Sequence, residues 1–235
     1  MRTLVTILAF NEGDKLRLLV AQFPQDNPYD LLFIDDGSTD GCTEFLKQEG
    51  RTAIRHDTNR GVGAGIRAAI QYGKKHGHEV IVVMAGNGKM QAGEIPRLLE
   101  PIESGKADYV QGSRYLAGGS SPNLPKFRGL GIKLFTAFCN ILLGFKGTDV
   151  TCGFRAYRLD IFDRIPMNLD QEWLEKYELE YYIHYKVIKG GGRVAEVPVS
   201  MVYPAEGKNY TKIRPIIGWW SMIRPWVYLT LRVRK

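Results

Sequence analysis

The sequence predicts an α/β fold: a Rossmann-like, mostly parallel sheet flanked by helices. Three observations carry this expectation. Apolar, β-rich runs alternate with stretches of helical periodicity over the first 115 residues. The loops between them are of the usual short length. The turns "NEGD", "DDGSTDG" and "AGNGK" all fall at strand ends, and in parallel sheets ligands bind beyond the carboxyl ends of the strands.

The first strand is "TLVTILAF", residues 3–10, closed by "NEGD". Leu16, Leu19, Val20 and Phe23 then recur at helical spacing. "YDLLFIDDGSTDG" supplies a buried strand and an acidic turn, "TEFLKQE" a short helix, and "TAIRHD" a third strand. "NRGVGAGIRAAIQYGKKHG" enters a helix through glycine. "EVIVVMAG" is the fourth and most hydrophobic strand, "GEIPRLLEPIESG" the next helix, and "DYVQGSRY" the fifth strand. Beyond residue 116 the rhythm changes. "LAGGSSPNLPKF" is a loop, 129–145 a helix with an apolar face, and "DVTCGFRAYRLDIF" a turn leading into a strand. "LEKYELEYYIHYKVIKGG" is a helix with a glycine stop, and "RVAEVPVSMVY" a last strand.

With 235 residues and 44% hydrophobic content, a full core is expected and wholesale disorder is excluded. The expected division is one main domain over 1–212 and an amphipathic tail over 213–235. Lys and Arg exceed Asp and Glu by 7, which suits a phosphate-bearing ligand or an anionic membrane; nucleic acid is not an expected partner. Cys42, Cys139 and Cys152 lack CxxC spacing and read as reduced, buried thiols. "MRTLVTILAFNEGD" turns polar too soon for a secretory leader. The apolar runs 134–145, 215–223 and 225–231 fall short of the roughly 20 residues a spanning helix needs.

"FIDDGSTDG" has two readings. Asp, Ser and Gly make good turns and helix caps whatever the function. Alternatively, the adjacent carboxylates need donors, and a ribose hydroxyl or nucleobase N–H would serve Asp36.

"VTILAFNEGD", "FIDDGSTDG", "NRGVGAGIRAAI", "GSRY", "DVTCGFRAY" and "EVPVSMVYP" occur in this order. Together they resemble the inverting family 2 glycosyltransferases of GT-A fold, in the polyprenyl-phosphate branch. The likeness spans roughly residues 3–212. It implies that Ala9, Asn11, Glu12 and Asp36 border the nucleotide of a sugar donor, although the family often places Pro where Leu8 or Ala9 stands. The run Gly61, Gly63, Gly65 lacks the spacing of a dinucleotide fingerprint and is expected to serve close helix packing.

The family usually carries Asp-x-Asp after the fourth strand, holding a divalent cation against the donor diphosphate. Here Ala85 and Asn87 take those places, followed by Lys89. Alanine cannot ligate a metal, and an amide oxygen is a poor ligand for a hard cation. The leaving diphosphate needs positive charge, from a metal or from Lys and Arg. The expectation is that the Lys89 ammonium replaces the cation, flanked by Gly86 and Gly88. Residual Mg2+ or Mn2+ binding through Asn87 and an inactive site are the alternatives.

Arg114, Lys126, Arg128 and Lys133 form either a solvated basic face or an acceptor-phosphate grip; the resemblance implies the latter for Arg114 and Arg128. It also implies that Lys212 reaches the donor diphosphate. Asp149 and Arg155 frame "DVTCGFR". In the wider family an acid here can act as base for a hydroxyl acceptor. With a lipid phosphate, Asp149 would position groups, because a phosphate monoester, with a second pKa of about 6, needs no base, and Arg155 is expected to bind the acceptor. Glu178 and Glu180 read as positioning or surface groups, and no histidine is expected to be catalytic.

The tail carries Trp219, Trp220 and Trp226 among several cations and suits a headgroup layer; segment 134–145 suits either that layer or the core. The resulting expectation is a peripheral glycosyltransferase on the cytoplasmic face of a membrane, moving a sugar from a nucleotide to polyprenyl phosphate. Transfer to a saccharide hydroxyl and silent nucleotide binding are its rivals.

Overall fold

The structure, a computed structural model, describes residues 1–24, 26–204 and 217–234. The strands are β1 (Thr3–Ala9), β2 (Asp30–Asp35), β3 (Ala53–Arg55), β4 (Val80–Ala85), β5 (Tyr109–Ser113), β6 (Arg155–Arg158) and β7 (Val194–Pro198). The helices are α1 (Asp14–Val20), α2 (Cys42–Gln48), α3 (Val62–Lys75), α4 (Ile95–Glu103), α5 (Lys126–Leu143), α6 (Ile161–Arg164), α7 (Glu178–Lys189) and α8 (Ile217–Thr230).

All seven strands join one sheet in the order β3-β2-β1-β4-β6-β5-β7. β1 pairs in parallel with β2 and β4, and β7 in parallel with β5. β6 alone runs against both its neighbours, β4 and β5. The mostly parallel, helix-covered sheet is the GT-A-like architecture expected from the strand–helix rhythm. β4 shows why its sequence is apolar throughout. Val80, Val82 and Met84 enter the core on the α1, α2 and α4 side, while Ile81 and Val83 enter that on the α3 and α7 side.

The glycines opening α3 are required by close approach. A Cβ on Gly63 would lie 2.1 Å from the Leu174 carbonyl oxygen, and one on Gly61 2.6 Å from that of Glu175. Gly65 faces Leu8 and Ile34 of the sheet. The expected packing role is observed, with the segment 174–176 as its tightest partner.

α5 begins at Lys126, three residues earlier than the periodicity predicts, because Pro125 supplies an extended residue immediately before it (φ −57°, ψ 132°). Ile132, Thr136, Cys139 and Leu143 face inward. Its other side carries Phe127, Leu130, Leu134, Phe138 and Ile141, all exposed.

α8 packs on α7 and α5 rather than standing apart. Trp226, expected at an interface, is fully buried against Phe135, Tyr181, His184 and Tyr185. Arg224 lies 2.6 Å from the buried Glu178 carboxylate. Trp219 and Trp220 remain exposed. Among the described residues, no helix is long and apolar enough to cross a membrane.

Candidate active site

The carboxyl ends of β1, β2 and β4 open on one crevice, as the register of these parallel strands requires. Asn11 adopts a left-handed backbone (φ 49°). Its carboxamide oxygen accepts the Thr39 N–H at 2.8 Å, and its own N–H donates to Ser38 Oγ at 3.0 Å. Gly13 N–H donates to Asp40 at 2.7 Å. The turns after β1 and β2 are thereby sewn together, with Ala9 buried at the seam and its carbonyl accepting the Asp36 N–H at 2.9 Å.

The two carboxylates that end β2 have separate duties. Asp35 is fully buried and accepts from Ser38 N–H at 2.8 Å, from Arg55 at 2.8 Å and from the Thr43 hydroxyl. Asp36 accepts from the Arg60 and Gly61 N–H groups at 2.9 and 2.7 Å and contacts His56 Nδ1 at 2.7 Å. The donors a ribose or base was expected to supply to Asp36 thus come from the chain itself. Asp36 thereby ties β2 to the start of α3.

After β4 the loop turns at Gly88 (φ 72°), a left-handed residue that favours glycine. Asn87 Oδ1 accepts the Lys89 N–H at 3.2 Å. Lys89 itself is buried, with 7% of its surface exposed. Burial pushes its pKa down to about 8, aided by the charges of Arg128, Lys15 and Arg114 and opposed by Glu12. Glu12 is buried and lies 3.5 Å from Lys15. The loop therefore offers a cation one carboxamide oxygen, already accepting a hydrogen bond, and no carboxylate. No group of three or more His, Cys, Asp or Glu side chains among the described residues could hold a metal ion. This donor set does not fit a hard divalent cation.

The opposite wall is built on β5 and the loop before β6. The buried Arg114 guanidinium grips Asp149 in a fork, Nε at 2.6 Å and Nη2 at 2.7 Å from its two oxygens. It also donates to Thr151 Oγ1 at 2.6 Å and to the Tyr203 hydroxyl at 2.6 Å. Burial opposes the charge on Arg114, and the Asp149 carboxylate outweighs it, raising the pKa. Asp149 is fully buried and accepts further from the Arg114 N–H and the Thr151 hydroxyl, each at 3.1 Å. The fork expected to take a phosphate holds a carboxylate, and Asp149 serves as a positioning ion-pair acceptor and not as a free base.

Arg155, expected at the acceptor, is engaged by the protein itself. It lies inside the protein, donating to the carbonyls of Cys152, Glu180 and Val150 at 2.8, 2.9 and 3.0 Å. It shapes the 148–152 loop from below. Gln111 holds the Asp149 carbonyl at 2.5 Å, and Glu196 accepts the Thr148 and Asp149 N–H groups at 2.7 and 3.1 Å.

Arg128, in the first turn of α5, is half-buried with its guanidinium carbon 5.6 Å from the centre of the Tyr203 ring. Lys89 Nζ lies 5.0 Å from the same centre. Tyr203, Lys15, Gln111 and Glu196 were not singled out by sequence reasoning. Lys15 alone had a local signal, its spacing of three from Glu12. Lys212 lies outside the described residues.

Several known proteins share this arrangement of chain. Polyprenol monophosphomannose synthase of Mycolicibacterium smegmatis is 32% identical over 206 residues, covering 85% of this chain and 77% of its own. Undecaprenyl-phosphate mannosyltransferase of Micrococcus luteus is 32% identical over 215 residues, covering 89% and 87%. Among solved structures, glucosyl-3-phosphoglycerate synthase of Mycobacterium tuberculosis bound to UDP superposes with a TM-score of 0.69. It shares 16% identity and covers 98% of this chain and 79% of its own. A structure of that enzyme with Mn2+, UDP and phosphoglyceric acid gives a TM-score of 0.68, with 16% identity and coverage of 99% and 78%. Residues 4–166, from β1 through β6 and both walls of the crevice, match glycosyl transferase family 2, and the chain belongs to that family.

Proposed function

We propose that this protein transfers one sugar from a nucleotide-sugar donor to a polyprenyl phosphate, inverting the anomeric centre. The observation that carries this choice of acceptor is the Arg114–Asp149 ion pair. A saccharide hydroxyl needs a base to take its proton, and the carboxylate expected in that role is buried and saturated by Arg114 and Thr151. A phosphate monoester, with a second pKa of about 6, reaches the anomeric carbon already deprotonated.

In this reading the acceptor phosphate oxygen forms the new bond to the anomeric carbon. The bond to the nucleoside diphosphate breaks on the opposite face, and its electron pair goes to the departing diphosphate oxygen. The Lys89 ammonium, at the end of β4, takes up that charge in place of a divalent cation. Supporting this are its burial, which strengthens its field, and a loop whose donors suit no hard metal. Asn11, Glu12 and the chain around Asp36 shape the nucleoside side, Lys212 is a second diphosphate contact, and Arg128 holds the acceptor phosphate.

The membrane part of the proposal rests on α5. Phe127, Leu130, Leu134, Phe138 and Ile141 recur three or four residues apart on one exposed side, with Phe127 and Ile141 each 82% exposed. Lys126 and Lys133 lie on the same helix, and Trp219 and Trp220 are exposed on the neighbouring α8. Such a face suits the headgroup layer of an anionic, cytoplasm-facing leaflet. Arg128 rides on the same helix, at the end beside the crevice.

A panel of radiolabelled sugar nucleotides, incubated with polyprenyl phosphate and excess EDTA, tests the reading. The expected product partitions into organic solvent and releases its sugar in mild acid. Label found only on a saccharide hydroxyl, or nowhere, defeats the proposal; strict dependence on added Mg2+ or Mn2+ defeats the role of Lys89.

A further inference from the structure

We infer that Tyr203 is a positioning residue whose ring holds the donor-side cation Lys89 and the acceptor-side cation Arg128 together. This deepens the proposed function and rests on it for the identity of the two anions.

The argument begins with a conflict. Lys89 and Arg128 carry like charges and sit close enough that Arg128 is the leading electrostatic cause of the lowered Lys89 proton affinity. Lys89 is also largely withdrawn from water. Like charges at such range part unless something negative lies between or beside them, and Glu12 supplies part of that at Lys89. A single aromatic ring meets both: Lys89 Nζ at 5.0 Å and the Arg128 guanidinium carbon at 5.6 Å from its centre. Both distances are within the roughly 6 Å at which the ring quadrupole attracts a cation.

The ring is itself fixed at several points. Its hydroxyl accepts from Arg114 Nη1 at 2.6 Å, which anchors it to the Asp149 wall. Its N–H donates to the Pro122 carbonyl at 3.1 Å, and its carbonyl accepts from Asn123 Nδ2 at 3.0 Å, on the loop leading to α5. The preceding residue, Val202, donates its N–H to the Lys89 carbonyl at 3.0 Å. The stretch 202–203 thus joins the loop after β4 to the loop before α5, and the Tyr203 side chain lies within reach of both cations those segments deliver. Sequence position gives no hint of this, because residue 203 is remote from both 89 and 128.

The test varies the ring without varying its shape. Phe, 4-fluoro-, 3,5-difluoro- and 3,4,5-trifluorophenylalanine are placed at position 203 of the full chain, and dissociation constants are measured by calorimetry. The probes are a nucleoside diphosphate and a water-soluble, short-chain polyprenyl phosphate. With Tyr203→Phe as the parent, loss of the hydroxyl is constant across the series. Fluorination drains the ring face of negative potential, so both constants are expected to rise in step, by tenfold or more from the parent to the trifluoro ring. Constants that ignore fluorination, or only one that follows it, overturn the shared-ring inference while leaving the functional reading intact. A wild-type protein that binds the diphosphate but transfers no sugar overturns the functional reading, and the fluorine series then still decides the role of the ring at the diphosphate. Should the wild type bind neither probe, both fall.

Discussion

The Lys89 ammonium, on the loop that follows β4, stands 5.0 Å from the centre of the Tyr203 ring. An amine in that place is withdrawn from water, with Arg128, Lys15 and Arg114 near it and Glu12 opposing them. It gains its full worth only when an anion arrives.

Lys89→Met is expected to lower kcat/KM by a factor of about 100 or more, comparable to removing one preorganised charge-stabilising donor. Wild-type turnover should persist in excess EDTA. Steady-state assays with both proteins, with and without chelator, check this.

The same substitution should stabilise the protein without ligand. The folded pKa of Lys89, about 8, is below its ordinary value of 10.5, so the unfolded chain binds more protons between those values. At neutral pH both states are charged and the whole cost of burial is present; above pH 8 it declines. Removing it should add about 2 kcal/mol at pH 7, solvent screening allowed for, and little by pH 10.5. Urea melts of both proteins across pH give the difference directly.

Donor affinity should follow the same titration. The charged amine binds diphosphate, so affinity is expected to be flat below pH 8 and to fall above it, with proton uptake on binding near pH 8.5. Calorimetry in buffers of different ionisation enthalpy counts those protons.

Much of the site was legible from residue types at strand ends, and its limits are instructive. β1, β2 and β4 announce themselves because each is a mostly buried apolar run closed by a polar turn. The antiparallel insertion of β6 is not legible, since "RAYR" carries no mark of its partners, fixed by residues some 45 and 75 positions away in β5 and β4. Charge alone also misleads. Arg155 looks like a ligand-binding arginine but serves interior carbonyls, and Asp36 looks unsatisfied until α3 folds back with two N–H groups. Tyr203 reads as an ordinary core aromatic because its cations come from distant loops.

Asp149→Ala leaves the buried Arg114 without its counter-charge and should destabilise the fold by about 3–5 kcal/mol. Asp149→Ala combined with Arg114→Met should recover part of that loss. Denaturant midpoints of the wild type, the single variants and the double variant test the coupling.

Ile141→Glu and Leu134→Glu change residues that are 82% and 64% exposed on α5. Stability should hold within about 0.5 kcal/mol, as for ordinary surface positions. Co-sedimentation with vesicles containing anionic lipid should weaken about tenfold, as expected for the loss of buried apolar area at a membrane interface. Unchanged sedimentation would remove α5 from the membrane face.

The place of β5 in the sheet has a consequence for biosynthesis. Its hydrogen-bonded neighbours are β6 and β7, and both are translated later. As the chain leaves the ribosome, β1 to β4 can pair among themselves, completing the Lys89 side of the crevice first. The strand that leads into Arg114 must wait, unpaired, until residues 155–158 emerge, and Tyr203 follows later still. A nascent chain stalled near residue 150 therefore holds the turns after β1, β2 and β4 but lacks the Arg114–Asp149 wall in its folded form, and its open β4 edge is where a chaperone should bind.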